Sequence, residues 1–145
     1  MNRTVTWIVL SNARHAMVVA HRSPGNTFET VLGKAWQASE PAQYTDEPGV
    51  MQSSVGPGRP SMTRHDTDRT AQKAFASEIM DHLAKAQREH AFDRIVLTGA
   101  PKMLGALRDS IPKSIEAVLL AELDKDLTHV AVEDLSSHLG DLIRP

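Results

Sequence analysis

DRIVLTGAPKMLGALRDSIPKSIEAVLLAEL, Asp93 to Leu123, is the stretch on which the fold turns. Its first part, DRIVLTGAP, is a short apolar run closed by Gly99 and Pro101, which reads as a buried strand. Proline suits a first helical turn, where the missing N–H would have no partner anyway. PKMLGALRDSI therefore reads as a short helix, ended by Pro112. SIEAVLLAEL fits strand or helix by composition. After a crossover helix it is assigned to a strand, and strand–helix–strand implies parallel neighbours.

Upstream, TVTWIVLSNA, HAMVVAHR and TFETVLGKAWQ are rich in β-branched and apolar residues and are separated by the turn signals Ser-Asn and SPGN. They read as a meander of three strands. The unbroken run Trp7-Ile8-Val9-Leu10 predicts a strand covered on both faces. Ala71, Phe75, Ile79, Leu83 and Ala86 recur at helical spacing, which predicts a long amphipathic helix over Thr67 to Glu89. VEDLSSHLGDLI reads as a closing helix, with Val132, Leu135, Leu139 and Leu142 or Ile143 on one face. The order is β-β-β-loop-α-β-α-β-α. It describes one α/β domain over residues 1–145, a mixed sheet of about five strands flanked by helices.

Composition limits the function. Formal charge is −2, against a globally basic nucleic-acid binder but not against a local patch. There is no cysteine, so disulfide and thiolate chemistry and Cys-ligated zinc are excluded. Asn12, Arg14 and His15 break the first apolar stretch well short of a membrane span, and no export signal is visible. A soluble, cytoplasmic protein with no membrane partner is expected; a homodimer is left open.

Between Glu40 and His65 the pattern gives way to Pro, Gly, Ser, Thr and Gln, the reading of a mobile loop at about 40–65. Within it, GPGRP holds Gly56 and Gly58, but both prolines lack an N–H and no Lys-Ser/Thr follows. It is not a nucleotide-triphosphate cradle. Arg59, Arg64 and His65 form a basic cluster, continued by Arg69 and Lys73 at the start of the long helix. These five are the candidate anion- or RNA-binding residues. The densest polar cluster is ELDKDLTH, where Glu122, Asp124, Asp126 and His129 offer acid–base chemistry or a divalent-ion site at a strand's carboxyl edge. Its competing reading is structural: Asp126 and Thr128 bond neighbouring backbone and shape a turn. No Ser-His-Asp order is legible. No two histidines sit at i, i+4 or in an HExxH pattern, so no metal or cofactor is expected.

TWIVLSNARHAMVV, EHAFDRIVLTGAPKMLGALR and AELDKDLTHVAVEDLSSHL together resemble the bacterial host attachment proteins, over nearly the whole chain. That name reflects an attachment phenotype more than a chemistry. The family is in turn similar to the middle domain of the archaeal and eukaryotic peptide-chain release factor, so the resemblance implies a release-factor middle-domain-like fold. In that domain a Gly-Gly-Gln loop before a long helix assists hydrolysis of peptidyl-tRNA. VGPGRPSM holds no Gly-Gly-Gln, so release activity is not implied. The expectation is a non-enzymatic binding protein contacting ribosomal or other RNA and affecting attachment indirectly. The alternative is a metal-assisted hydrolase or nuclease built on Glu122 to His129.

Overall fold

A computed structural model describes residues 4–23, 25, 27–38, 64–140 and 142–143, with the side chains of the first helix described from Arg69 onward. Strands β1 (Thr4–Ser11), β2 (His15–Ser23) and β3 (Phe28–Gln37) come first. Helix α1 (Arg64–Arg88), strand β4 (Arg94–Gly99), helices α2 (Pro101–Ser110) and α3 (Lys113–Glu116), strand β5 (Leu119–Leu123) and helix α4 (Leu135–Leu139) follow. This is the expected order. SIEAVLLAEL divides between the two states that its composition allowed: a short helix, then a strand. The predicted closing helix is broken, a 3₁₀ turn at Val132–Asp134 leading into α4. Helix α1 begins at Arg64, before the expected Thr67, so Arg64 and His65 belong to its first turn and not to a loop. The rest of the predicted loop, with Gly56, Gly58 and Arg59, lies outside the described residues.

The sheet has five strands in the order β3-β2-β1-β4-β5. β1 pairs antiparallel with β2 and parallel with β4, and β4 pairs parallel with β5. The mixed sheet is therefore a meander extended by a strand–helix–strand crossover. β3 carries extra residues between Thr30 and Ala35, where Gly33 takes the left-handed φ of 79° that a side chain would resist.

Strand alternation sends apolar side chains to both faces. Trp7, Val9, Val18, Ile95 and Leu97 meet Phe75, Ile79 and Leu83 of α1 and Met103 and Leu107 of α2. On the other face Ile8, Leu10, Val19 and Val96 meet Leu127, Leu135, Leu139 and Ile143. The run Trp7–Leu10 is thus buried on both sides, as read. Two buried hydroxyls on this sheet are paired: Ser11 Oγ donates to the Thr98 carbonyl and Thr98 Oγ1 to the Val9 carbonyl, both at 2.9 Å.

The ends of the helices follow from local chemistry. Ala100 and Ile111 precede prolines and are extended, with ψ of 150° and 125°, so they bound α2 on both sides. α1 ends in a Schellman turn, in which the Ala91 N–H bonds the Ala86 carbonyl and the His90 N–H bonds the Gln87 carbonyl, each at 3.0 Å. His90 occupies the left-handed position, φ 60°, where glycine is usual.

Candidate functional site

α1 and α2 pack side by side, and their small residues decide how. Gly105 and Ala106 of α2 carry little side chain, so a cleft of about 350 Å³ remains between the helices. Arg69, Gln72 and Lys73 line it from α1, and Lys102 and Asp109 from α2. The spacing i, i+3, i+4 puts the three α1 residues on one edge of that helix. Arg69, Lys73 and Lys102 are exposed, and among the described residues none of them forms an ion pair. Arg69 and Lys73 are like charges at i, i+4, an arrangement that destabilises an isolated helix unless an anion compensates it. Lys102 stands in the first turn of α2, which holds no acid and no side-chain cap. The positive end of that helix dipole adds to the local potential. Two of the five sequence candidates, Arg69 and Lys73, therefore share one cleft. Lys102 and Asp109 were missed.

The carboxyl ends of β1, β4 and β5 lie along one edge of the sheet, as the pairings Ser11↔Gly99 and Thr98↔Leu123 show. There Asn12 joins two distant segments. Its Oδ1 accepts the Arg14 and His15 amides at 2.8 Å, closing the turn into β2. Its Nδ2 donates to Asp126 Oδ2 at 3.2 Å and Thr128 Oγ1 at 3.1 Å. Asp126 Oδ1 also accepts the Thr128 amide at 2.9 Å and the Thr128 hydroxyl at 2.5 Å. Burial by itself would raise the Asp126 pKa. The bonds from Thr128 and Asn12, with His129 nearby, outweigh it and hold the carboxyl below its ordinary value of 3.8.

The other acidic candidates are not gathered round Asp126. Glu122 pairs with Arg108, and Asp124 is exposed. His129 stands 4.0 Å from Asp126 with its side chain 83% exposed. Among the described residues no three His, Asp or Glu side chains come together to hold a metal. Asp126 and Thr128 shape a turn, as the structural reading had it, with Asn12 as the partner that the sequence did not reveal.

A depressed folded-state pKa makes Asp126 stabilising above the unfolded value, an advantage lost as pH falls through the folded one. Asp126→Asn should lower stability near neutral pH by about 1 kcal/mol. The difference from wild type should shrink as pH drops below about 4. Thermal melts over an acid-to-neutral series check this; a gap that stays constant with pH would contradict it.

Together these features describe a mixed α/β domain in which an antiparallel meander continues into a parallel strand–helix–strand unit, with a cationic cleft between its two larger helices. The chain belongs to the family described as "Protein required for attachment to host cells", which matches residues 7–139. No curated protein is detectably similar to it. Among solved structures, a PPX-GPPA enzyme of Aquifex aeolicus matches with a TM-score of 0.40 and 10% identity, over 84% of this chain and 36% of that one. The type II variant of the Aquifex aeolicus Ppx/GppA phosphatase matches with a TM-score of 0.37 and 10% identity, over 85% and 35%. This chain thus spans little more than a third of either enzyme.

Proposed function

We propose that this family member is a non-enzymatic binding protein that contacts ribosomal or other RNA through the cleft between α1 and α2, and that its effect on host attachment is indirect. The observation that supports this reading is the convergence of Arg69, Lys73 and Lys102 on one open cleft without internal ion partners among the described residues. Such a group has a use if it neutralises phosphates. An i, i+4 pair roughly 5–6 Å apart faces successive backbone phosphates, and Lys102 grips from across the groove. Contacts of this kind fix position on RNA and carry little base specificity. Arg64 and His65 begin the same helix.

Fluorescence anisotropy with a labelled single-stranded RNA tests it. For three phosphate contacts, log K against log salt should fall with a slope of about −2, at about −0.7 per contact. Lys73→Glu/Lys102→Glu should weaken binding by at least about tenfold, worth about 1.4 kcal/mol, and flatten that slope. Both lysines are exposed, so the fold should persist. Co-sedimentation of the same pair of proteins with ribosomes identifies the RNA. Equal RNA affinity of wild type and variant removes the cleft from the reading, and no binding by wild type removes RNA.

A further inference from the structure

The opposite edge of the sheet, away from Asn12 and Asp126, carries a feature that none of this uses. Thr6 of β1 pairs in register with His21 of β2 and with Arg94 of β4, and Thr4 pairs with Ser23. Alternation places these five on the face shared by Ile8, Leu10, Val19 and Val96. They continue that apolar face as a polar strip. With Leu120, Leu142 and Ile143 they line a cavity of about 400 Å³.

His21 is 1% exposed and Thr6 is 3% exposed. His21 Nε2 lies 2.6 Å from the Gly25 carbonyl. A carbonyl only accepts, so Nε2 carries the proton. The other ring nitrogen, Nδ1, is buried and has no hydrogen-bond partner among the described residues. Native structures rarely leave such an atom unpaired. With its proton on Nε2 the ring can offer a lone pair at Nδ1, whose complement is a donor. Arg94 and the hydroxyls of Thr4, Thr6 and Ser23 supply the complementary donors and a positive charge.

We propose that this cavity binds a phosphate group, held by Arg94, the hydroxyls of Thr4, Thr6 and Ser23, and Nδ1 of His21. A singly protonated phosphate or phosphomonoester both gives and receives hydrogen bonds. Its P–O–H donates to Nδ1, and its anionic oxygens accept from the guanidinium and the hydroxyls. Sulfate has the same shape and charge sign but no proton to give. His21 and Arg94 flank β1 on neighbouring strands, so their backbones stand roughly 10 Å apart on one face of the sheet. Leu120, Leu142 and Ile143 offer an apolar wall to the organic part of a phosphomonoester.

Calorimetric titration of the intact chain tests this at about pH 6, where a phosphomonoester is present in both protonation states. The probes are inorganic phosphate, glycerol 3-phosphate and sulfate. Both phosphates should bind saturably and sulfate about tenfold or more weakly. Glycerol 3-phosphate binding tighter than inorganic phosphate marks an organic ligand, and the reverse order marks the free ion. His21→Gln keeps a donor for the Gly25 carbonyl and removes Nδ1, so it should abolish the preference over sulfate. Arg94→Gln, at an exposed position, should weaken phosphate and sulfate alike by about tenfold. If His21→Gln fails to fold, Arg94→Gln and the sulfate comparison decide. Absence of saturable phosphate binding, equal affinity for sulfate, or wild-type affinity in Arg94→Gln overturns the proposal.

Discussion

Leu83→Ala should destabilise the protein by about 2–5 kcal/mol, the range for emptying a well-packed leucine site. Leu83 is fully buried on the face of α1 that meets the sheet, in one cluster with Trp7, Val9, Phe75 and Leu107. Alanine is at least as good a helix former as leucine, so the change leaves propensity intact and isolates packing. The cluster draws its side chains from α1, α2 and strands β1, β2 and β4, and a close-packed interior refills such a space only in part. A domain stable by about 5–15 kcal/mol loses much of its margin in this way. For a chain of this length the thermal midpoint should fall by about 5–15 °C. Leu32→Ala is the control, because Leu32 is 89% exposed on β3, and it should change stability by no more than about 0.5 kcal/mol. Chemical denaturation of both variants checks the pair. Similar losses in the two would mean that α1 does not seal the core.

The same helix shows what a sequence can disclose. Phe75, Ile79, Leu83 and Ala86 announce their common face because the 3.6-residue period is local, and all four are buried. The parallel crossover was equally legible, since Pro101 and Pro112 act on their immediate neighbours. The sheet order β3-β2-β1-β4-β5 was not, because it depends on pairings such as Ser11 with Gly99 that no local pattern encodes. The site divides along the same line. Arg69 and Lys73 could be read as neighbours on a helix edge, whereas Lys102 joins them only through the packing of α1 on α2. Asn12 reads as a turn residue, and its side-chain partners Asp126 and Thr128 lie 114 and 116 positions away. His21 left one unused signal: it shares the parity of Val19 on β2, which places an ionisable ring on a face meant for burial.

Gly99 shows the same dependence on distant contacts. Gly99 ends β4 opposite Ser11, and a Cβ there would lie 2.5 Å from Ser11 Oγ and 3.6 Å from the Leu104 amide nitrogen. Ser11 is fully buried and its Oγ is held by the Thr98 carbonyl. The hydroxyl can escape only by giving up that bond, a loss of about 1 kcal/mol. Gly99→Val adds two further methyl carbons against β1 and the start of α2, and overpacking of this kind costs about 1–3 kcal/mol more. A total near 2–4 kcal/mol is expected despite the high strand propensity of valine. Ser11→Ala removes the obstructing oxygen, so the double variant should recover about 1 kcal/mol relative to the sum of the single changes. Because Lys102 follows Gly99 by three residues, at the first turn of α2, Gly99→Val should also weaken the RNA binding proposed for the cleft while leaving every cationic side chain in place. Urea melts of the four proteins in the cycle and anisotropy on those that remain folded measure both effects. Additive energies would show that Ser11 and Gly99 do not meet across the sheet. Undiminished RNA affinity would separate the cleft from the strand end that sets α2 in position.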